Sequence, residues 1–569
     1  MNKINIYIKT FLLIVTLTLL SACSEDFLER SPEDNYVASK FYNSPDQIRA
    51  GVNPLYGGVW FDYYRSLLNI GDVMAGNRNA GNQNAFYTFS ITPTFAGLNE
   101  AYASLWMAVA YSNSVYANIK QYAPATISDE VINTAIGESL VMKSMAYFFL
   151  VRCFGDIPII HNSNELVATG VDNVSKLPKN RMEDVYEYIT MMLKEAATLL
   201  PPENEPGRIH KWSAYALLAK VYLTRSGVGQ TGARAQEHLD EAKKYAAMVI
   251  HESGLQLWPS YKELFWISTG NLNPENLISL HWTIASDWGA QNAFQADLAP
   301  VGMTSHGDGW GAWNGVTLDL LNLFGEDSSL PGEENRVYDD ERRKATIMMD
   351  GDHYPEIWRG QGGYTLHWNG NLSDEEIGAG GRIQNNTGSM VRKHIVGHAD
   401  DHRAEAGRPS QFMKTDLSTH ILRLADIYLV YAEAILGNNA STTNAEALQA
   451  FNAVRRRAGH KEDITELTLQ TIYDERRREL AFEGDNWFDY VRLSYYDMDK
   501  AIQLLADQER GNWDGGDAYA PDGLELNSIS YAPTPSDFTL PVPEVEILAN
   551  PKLAPEVEPE PFDFSSIEF

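Results

Sequence analysis

Two cysteines among 569 residues, Cys23 and Cys153, are too few for a disulfide framework, and a chain this long buries a large core without one. Basic charge is also scarce. Forty-five Lys and Arg stand against 76 Asp and Glu, a formal net charge of −31. Such a surface repels phosphate backbones and anionic lipid, which excludes a general nucleic-acid binder. No nucleophile elbow, zinc-protease motif or phosphate loop is present, so the familiar hydrolase and nucleotide signatures are missing. Aromatic residues are abundant instead, with 13 Trp and 29 Tyr, more ring surface than a core strictly needs.

The amino terminus has the layout of a secretory signal. Lys3 and Lys9 form a basic region, Phe11–Leu20 an apolar run, and Ser21-Ala22 a small-residue end. The run is well short of the roughly 20 residues that span a bilayer. Leu20-Ser21-Ala22-Cys23 resembles a bacterial lipobox, which implies cleavage after residue 22 and lipidation of Cys23. Losing Lys3 and Lys9 with the leader takes the net charge from −31 to −33. Several acyl chains on one cysteine anchor a protein durably. Glu25 and Asp26 just after it resemble a signal for export to the outer face. With Cys23 acylated, Cys153 has no intrachain partner and reads as a small buried hydrophobe.

Amphipathic helices follow a polar tether at 23–45. Val141, Met145, Phe148 and Phe149 recur at helical spacing before a stop at Gly155 and Pro158. Ala214, Leu217, Leu218, Val221 and Tyr222 form another face, with Ala216 and Ala219 small enough for close helix approach. Leu424, Tyr428, Tyr431 and Ile435 repeat the pattern. Such helices are similar to tetratricopeptide repeats, although a strict 34-residue period is absent. Residues 255–415 differ in kind, being rich in Gly, Trp, Asn and Asp with short β-prone runs, and read as long loops and short strands. The expected fold is mostly α: a tetratricopeptide-like helical-repeat scaffold with an irregular, loop-rich C-terminal half carrying short β-strands.

Four blocks resemble the SusD/RagB family of outer-membrane nutrient-binding lipoproteins: 137–160 with its Phe-Gly-Asp-x-Pro turn, 207–223, 421–459 and 474–493 ("DERRRELAFEGDNWFDYVRL"), with "LPVPEVEILANPKL" as a coda. They occur in family order. The resemblance implies a helical N-terminal region at 46–254. It also implies a C-terminal region at 255–569, with the insert 255–415 and helices over 421–505. It further implies glycan capture without catalysis, a SusC-like TonB-dependent transporter as partner, and an outer-membrane location through the lipid anchor. In the last block, Asp474 and Glu475 are spaced to pair with Arg478, and Trp487 and Phe488 read as core anchors.

Sugars offer C–H faces to aromatic rings and paired hydroxyls to amides, carboxylates and guanidinium groups. Loops on a rigid scaffold are the natural place for such a site. Two stretches fit. "GDVMAGNRNAGNQNAFY" supplies Asp72, Asn77, Arg78, Asn79, Asn82, Gln83, Phe86 and Tyr87. "SDWGAQNAF" and "SHGDGWGAWNG" supply Trp288, Gln291, Asn292, Trp310, Trp313 and Asn314, where Gly307, Gly309 and Gly311 free the backbone to expose the rings. The alternative is that Trp310 and Trp313 pin the loop to the scaffold.

His394, His398 and His402 recur every four residues, a metal-binding face if helical, but Gly397 argues against that helix and a solvated loop is preferred. No catalytic residue, metal ligand or cofactor is assigned. A structural calcium ion on "DSSLPGEENRVYDDE" stays open as an alternative, although the EF-hand ligand order is missing. A peptide- or protein-binding role on the same fold, or a glycoside hydrolase, are the competing functions. Some carboxylate pair at hydrolase spacing is expected by chance among 76 acids.

Overall fold

A computed structural model describes residues 41–163, 177–285, 288–368, 380–514 and 523–569. Cys23 and the tether up to residue 40 lie outside the described residues, as does most of the glycine-rich stretch after Asp514.

Helices of eight or more residues are numbered in chain order. The first seven are α1 (Pro45–Val52), α2 (Phe61–Leu68), α3 (Ala96–Tyr122), α4 (Asp129–Phe154), α5 (Met182–Leu199), α6 (Lys211–Arg225) and α7 (Gln236–Glu252). After a long excursion come α8 (Ala399–Ala406), α9 (Leu424–Leu436), α10 (Ala445–Arg457), α11 (Leu469–Leu480), α12 (Asn486–Ser494) and α13 (Met498–Ala506). From α3 to α7 each helix packs on the next, and α9 then docks on α6 and α7 before receiving α10. This stepwise packing is the tetratricopeptide-like scaffold.

Local chemistry explains the boundaries. Asp129 and Glu130 occupy the first turn of α4 and Arg152 its last, complementing the helix dipole, and Gly155 ends it at φ +69°. Gly137 lies inside α4 because a Cβ there would sit 2.6 Å from Leu200 Cγ at the end of α5. By length and composition α4 could cross a membrane, yet it is almost wholly buried among the other helices. Cys153 is buried in it, and burial pushes its thiol up to about 12, consistent with a packing role.

Between α7 and α9 the chain makes the irregular half. Antiparallel β2 (Asn276–Leu280) and β9 (Thr419–Arg423) tie its entry to its exit. Short pieces join in small sheets, including β4 (Ile347–Met349) with β8 (Ser389–Val391), and β5 (His353–Tyr354), β6 (Tyr364–His367) and β7 (Gly380–Arg382).

A buried ionic lattice joins this half to the scaffold. Arg423, fully buried, donates to Glu275 (2.9 Å), Glu479 (3.0 Å) and Glu483 (2.7 Å). Arg342 reaches Glu475 (2.7 Å) and Glu479 (3.1 Å). Arg476 bonds Asp426 (2.6 Å) and Asp489 (2.8 Å), while Lys220 bridges Asp426 and Asp485, both at 2.5 Å. The arginine run of block four is therefore structural, and its partners include distant acids, Asp426 and Asp319, beside those within the block. Glu475 meets Arg478 at 3.6 Å as its spacing predicts, whereas Asp474 accepts a bond from Gln470 instead. Trp487 and Phe488 are buried.

Candidate functional site

Helix α2 passes through a π turn, Asn69–Val73, into the short strand β1 (Arg78–Asn79). Strand β1 pairs antiparallel with β3 (Gly315–Val316), so that Asn79 faces Gly315. This ladder brings together the two loop stretches singled out in the sequence, although more than 200 residues separate them.

Three tryptophans on the second stretch are exposed. Trp313 is 65% exposed, Trp288 55% and Trp310 43%, all high for indoles. Trp310 meets Phe412 edge-on with centroids 6.2 Å apart, and Phe412 is itself exposed. Trp288 meets the buried Phe61 of α2 edge-on at 5.5 Å. Arg65, one turn on, lies over the Phe61 ring at 5.9 Å. Beside it Asp297 ends a short helix, Phe294–Leu298, and burial raises its carboxyl against the opposing pull of Arg78 and Arg65. The Arg78 guanidinium donates to the Asp297 carbonyl at 3.4 Å, and its Nε has no partner among the described residues. Half-buried Asn79 and Asn314 flank the ladder. The two joined stretches thus offer exposed indoles together with two half-buried amides.

The glycines act differently from the expectation. A Cβ on Gly309 would lie 2.5 Å from Pro300 O, and one on Gly311 2.1 Å from Leu298 C. These two positions seat the loop tightly on the end of the Phe294–Leu298 helix and on the Ala299-Pro300 turn after it, and the fixed backbone then holds Trp310 and Trp313 outward. The rings are neither free on a flexible loop nor buried as pins.

Burial removes five candidates from direct ligand contact. Asp72 is fully buried. Its Oδ1 accepts from Asn77 Nδ2 (2.9 Å) and Phe482 N (2.6 Å), its Oδ2 from Gly484 N (2.9 Å), and burial pushes its carboxyl up to about 6. Asn77 bonds Asn486 Oδ1 (2.8 Å) and accepts from Arg477 Nε (3.2 Å). Tyr87 donates to Arg510 O at 2.5 Å, and the Arg510 guanidinium lies 5.4 Å from its ring centre. Asn292 accepts from Tyr64 Oη and Phe294 N and donates to Leu417 O (2.7 Å). Arg78 is nearly buried and shows only its edge. These residues shape the face from behind, whereas the exposed Asn82 and Gln83 remain at the loop tip. Phe86 and Gln291 are buried as well.

Sequence reasoning missed Phe412, Arg65 and Asp297. Nothing local marks them, since each gains its place from a distant segment. The three histidines diverge. His394 is buried in the loop after β8 against Phe482 O (2.6 Å), His398 caps α8, and His402 lies buried within α8 between Arg408 O and Asp416 N. In the acidic loop buried Asp340 pairs with Arg342 (2.6 Å), and Glu326 just before the loop pairs with Arg343 (2.8 Å), so these two acids already have cationic partners.

The chain resembles known proteins along nearly its full length. Residues 282–556 match the profile described as the SusD family, and residues 26–223 one described as starch-binding associating with outer membrane. A SusD-like protein of Bacteroides ovatus is 33% identical, covering 98% of this chain and 100% of its own. A solved structure with xylogluco-oligosaccharide superposes with a TM-score of 0.76 at 30% identity, covering 91% of this chain and 99% of that one. A laminarin-binding SusD-like protein superposes with a TM-score of 0.63 at 23% identity, over 90% and 98%, a likeness of fold.

Proposed function

Because the chain belongs to the SusD family, we propose that it is a surface-exposed lipoprotein that captures oligosaccharide and delivers it to a SusC-like TonB-dependent transporter. It binds carbohydrate and is not an enzyme. The reading rests above all on three exposed indoles, Trp288, Trp310 and Trp313, the last two carried by a tightly seated loop. Exposed rings of this size carry a hydration cost that a sugar face relieves. Asn79 and Asn314 supply hydrogen bonds to hydroxyl pairs. Cargo held beside a pore is presented repeatedly before it diffuses away, which raises its effective concentration. Lipidation of Cys23 would keep the protein at the outer membrane. A durable complex with the transporter is expected to bury more than roughly 1,200 Å².

The test is a glycan array on the chain with its leader removed, paired with an assay for new reducing ends. Saturable binding to a defined glycan without turnover supports the reading. Binding to peptides alone, or release of reducing ends, overturns it.

A further inference from the structure

A cleft of about 430 Å³ opens between the turn Lys262–Phe265, the short helix Glu341–Thr346 and strand β5, and it shares no lining residue with the tryptophan face. Its volume falls within the roughly 300–1,000 Å³ typical of small-molecule sites. The walls are aromatic. Trp266 is half-buried and Tyr338 exposed, and Tyr354 closes the back with its hydroxyl 3.2 Å from both Ile347 O and Asp352 Oδ2. That wall is rigid, since Arg392 lies 5.3 Å from the Tyr354 ring centre while also pairing with Glu356 at 3.3 Å.

The charges lining the cleft divide into two kinds. Asp340 is committed to Arg342 (2.6 Å) and His460 (3.1 Å), and Glu356 to Arg392. Lys262 and Lys344 have no close ion pair among the described residues, although Lys262 helps hold the Glu356 carboxyl low. Lys344 Nζ lies 5.4 Å from the Tyr354 ring centre and 5.7 Å from that of Tyr338, and Lys262 Nζ lies 5.5 Å from Trp266. Exposed Glu341 is the one carboxylate of the lining without a cation. With Asp340 tied to Arg342 and Glu356 to Arg392, the lining leaves two ammonium groups outside close ion pairs against one carboxylate, Glu341, in a chain whose net charge is −31.

We propose that this cleft is a second carbohydrate site, which takes a hexuronate unit. The C–H face of the sugar lies on Trp266 and Tyr338, and its carboxylate is received by Lys344 with Lys262 reinforcing the potential. Rings alone would serve a neutral sugar, and the unpaired ammonium groups set the preference for an acid. The surrounding negative charge disfavours long polyanions, so the ligand is a short acidic segment or a single acidic branch. This extends the glycan reading to a separate surface and does not depend on the tryptophan face.

Isothermal titration of the leader-free chain with trigalacturonate and with its fully methyl-esterified, neutral form tests the proposal. Trigalacturonate is expected to bind at least about tenfold more tightly than the ester, the difference one charge-assisted hydrogen bond supplies. Lys344→Met, which keeps the apolar stem, is expected to erase that preference. Tyr338→Ala at an exposed position is expected to weaken both ligands several-fold with the fold intact. Equal affinity for the two forms, an unchanged preference in Lys344→Met, or no binding to either overturns it. Retained neutral-glycan binding beside absent uronate binding refutes this inference alone. Neutral-glycan binding indifferent to the tryptophans refutes the earlier assignment instead.

Discussion

Trp313→Ala isolates the tryptophan face. An indole of this class carries on the order of 250 Å² of surface. Trp313 shows 65% of its own, and a sugar ring covering about half of that hides ~80 Å². At about 25 cal/mol per Å² the lost contact is worth ~2 kcal/mol, a Kd raised roughly 25-fold. The same reasoning for Trp310, 43% exposed, gives ~1.3 kcal/mol and about a tenfold effect. Trp288, 55% exposed, falls between on contact area alone. The assay is titration calorimetry with the best glycan from the array, beside thermal unfolding to show that each variant is folded. Exposed rings contribute little to the core, so the melting temperatures should stay close to that of the parent. Unchanged affinity in a Trp310→Ala, Trp313→Ala double variant with an intact fold would refute the assignment of this face.

Further outcomes follow from the interior. Arg423→Met leaves Glu275, Glu479 and Glu483 without a shared partner, and denaturant unfolding should register a loss of about 3–5 kcal/mol. Gly71→Ala would place a Cβ 2.2 Å from the Gly484 backbone; the resulting strain should cost about 1–3 kcal/mol or more and weaken glycan binding by shifting the loop that carries β1. Burial alone would raise Glu479 and Glu433, but their arginine partners hold both down at about 2. The stability they contribute is present above pH ~4.5 and is lost as pH falls toward 2. Asp72, raised to about 6 by burial, runs the other way: its contribution is full below pH ~4 and gone above 6. Melting temperatures followed by circular dichroism should therefore drop steeply between pH 4.5 and 2, more gently in Asp340→Asn, whose own carboxyl Arg342 holds low despite burial. A flat profile down to pH 2.5 would contradict the lattice.

Much of the scaffold was legible because helices announce themselves locally. The apolar spacing of 137–154 and the stop at Gly155 correspond to the end of α4, and the 211–225 and 424–436 faces correspond to α6 and α9. The site was harder to read. Asn292 and Asn314 look alike as loop amides beside tryptophan, yet the first is tied to Tyr64, Phe294 and Leu417 while the second stays half-exposed. Asp72 reads as a polar loop residue, and its partners Phe482 and Gly484 lie some 400 positions away. The arginine run at 476–478 shows the same limit, since two of its strongest partners, Asp426 and Asp319, lie far outside the motif.

By itself the sequence determined which segments coil, where they stop, how acidic the surface is and which loops carry rings, because these depend on neighbours within a few residues. Only the tertiary structure decided which of those loop residues face solvent. Pairing of β1 with β3 and the seating of the 299–311 loop set that choice, and both are contacts between segments far apart in the chain. The ring-lined cleft with its two unpaired lysines belongs to the same class: three remote segments form it, and none is distinctive alone.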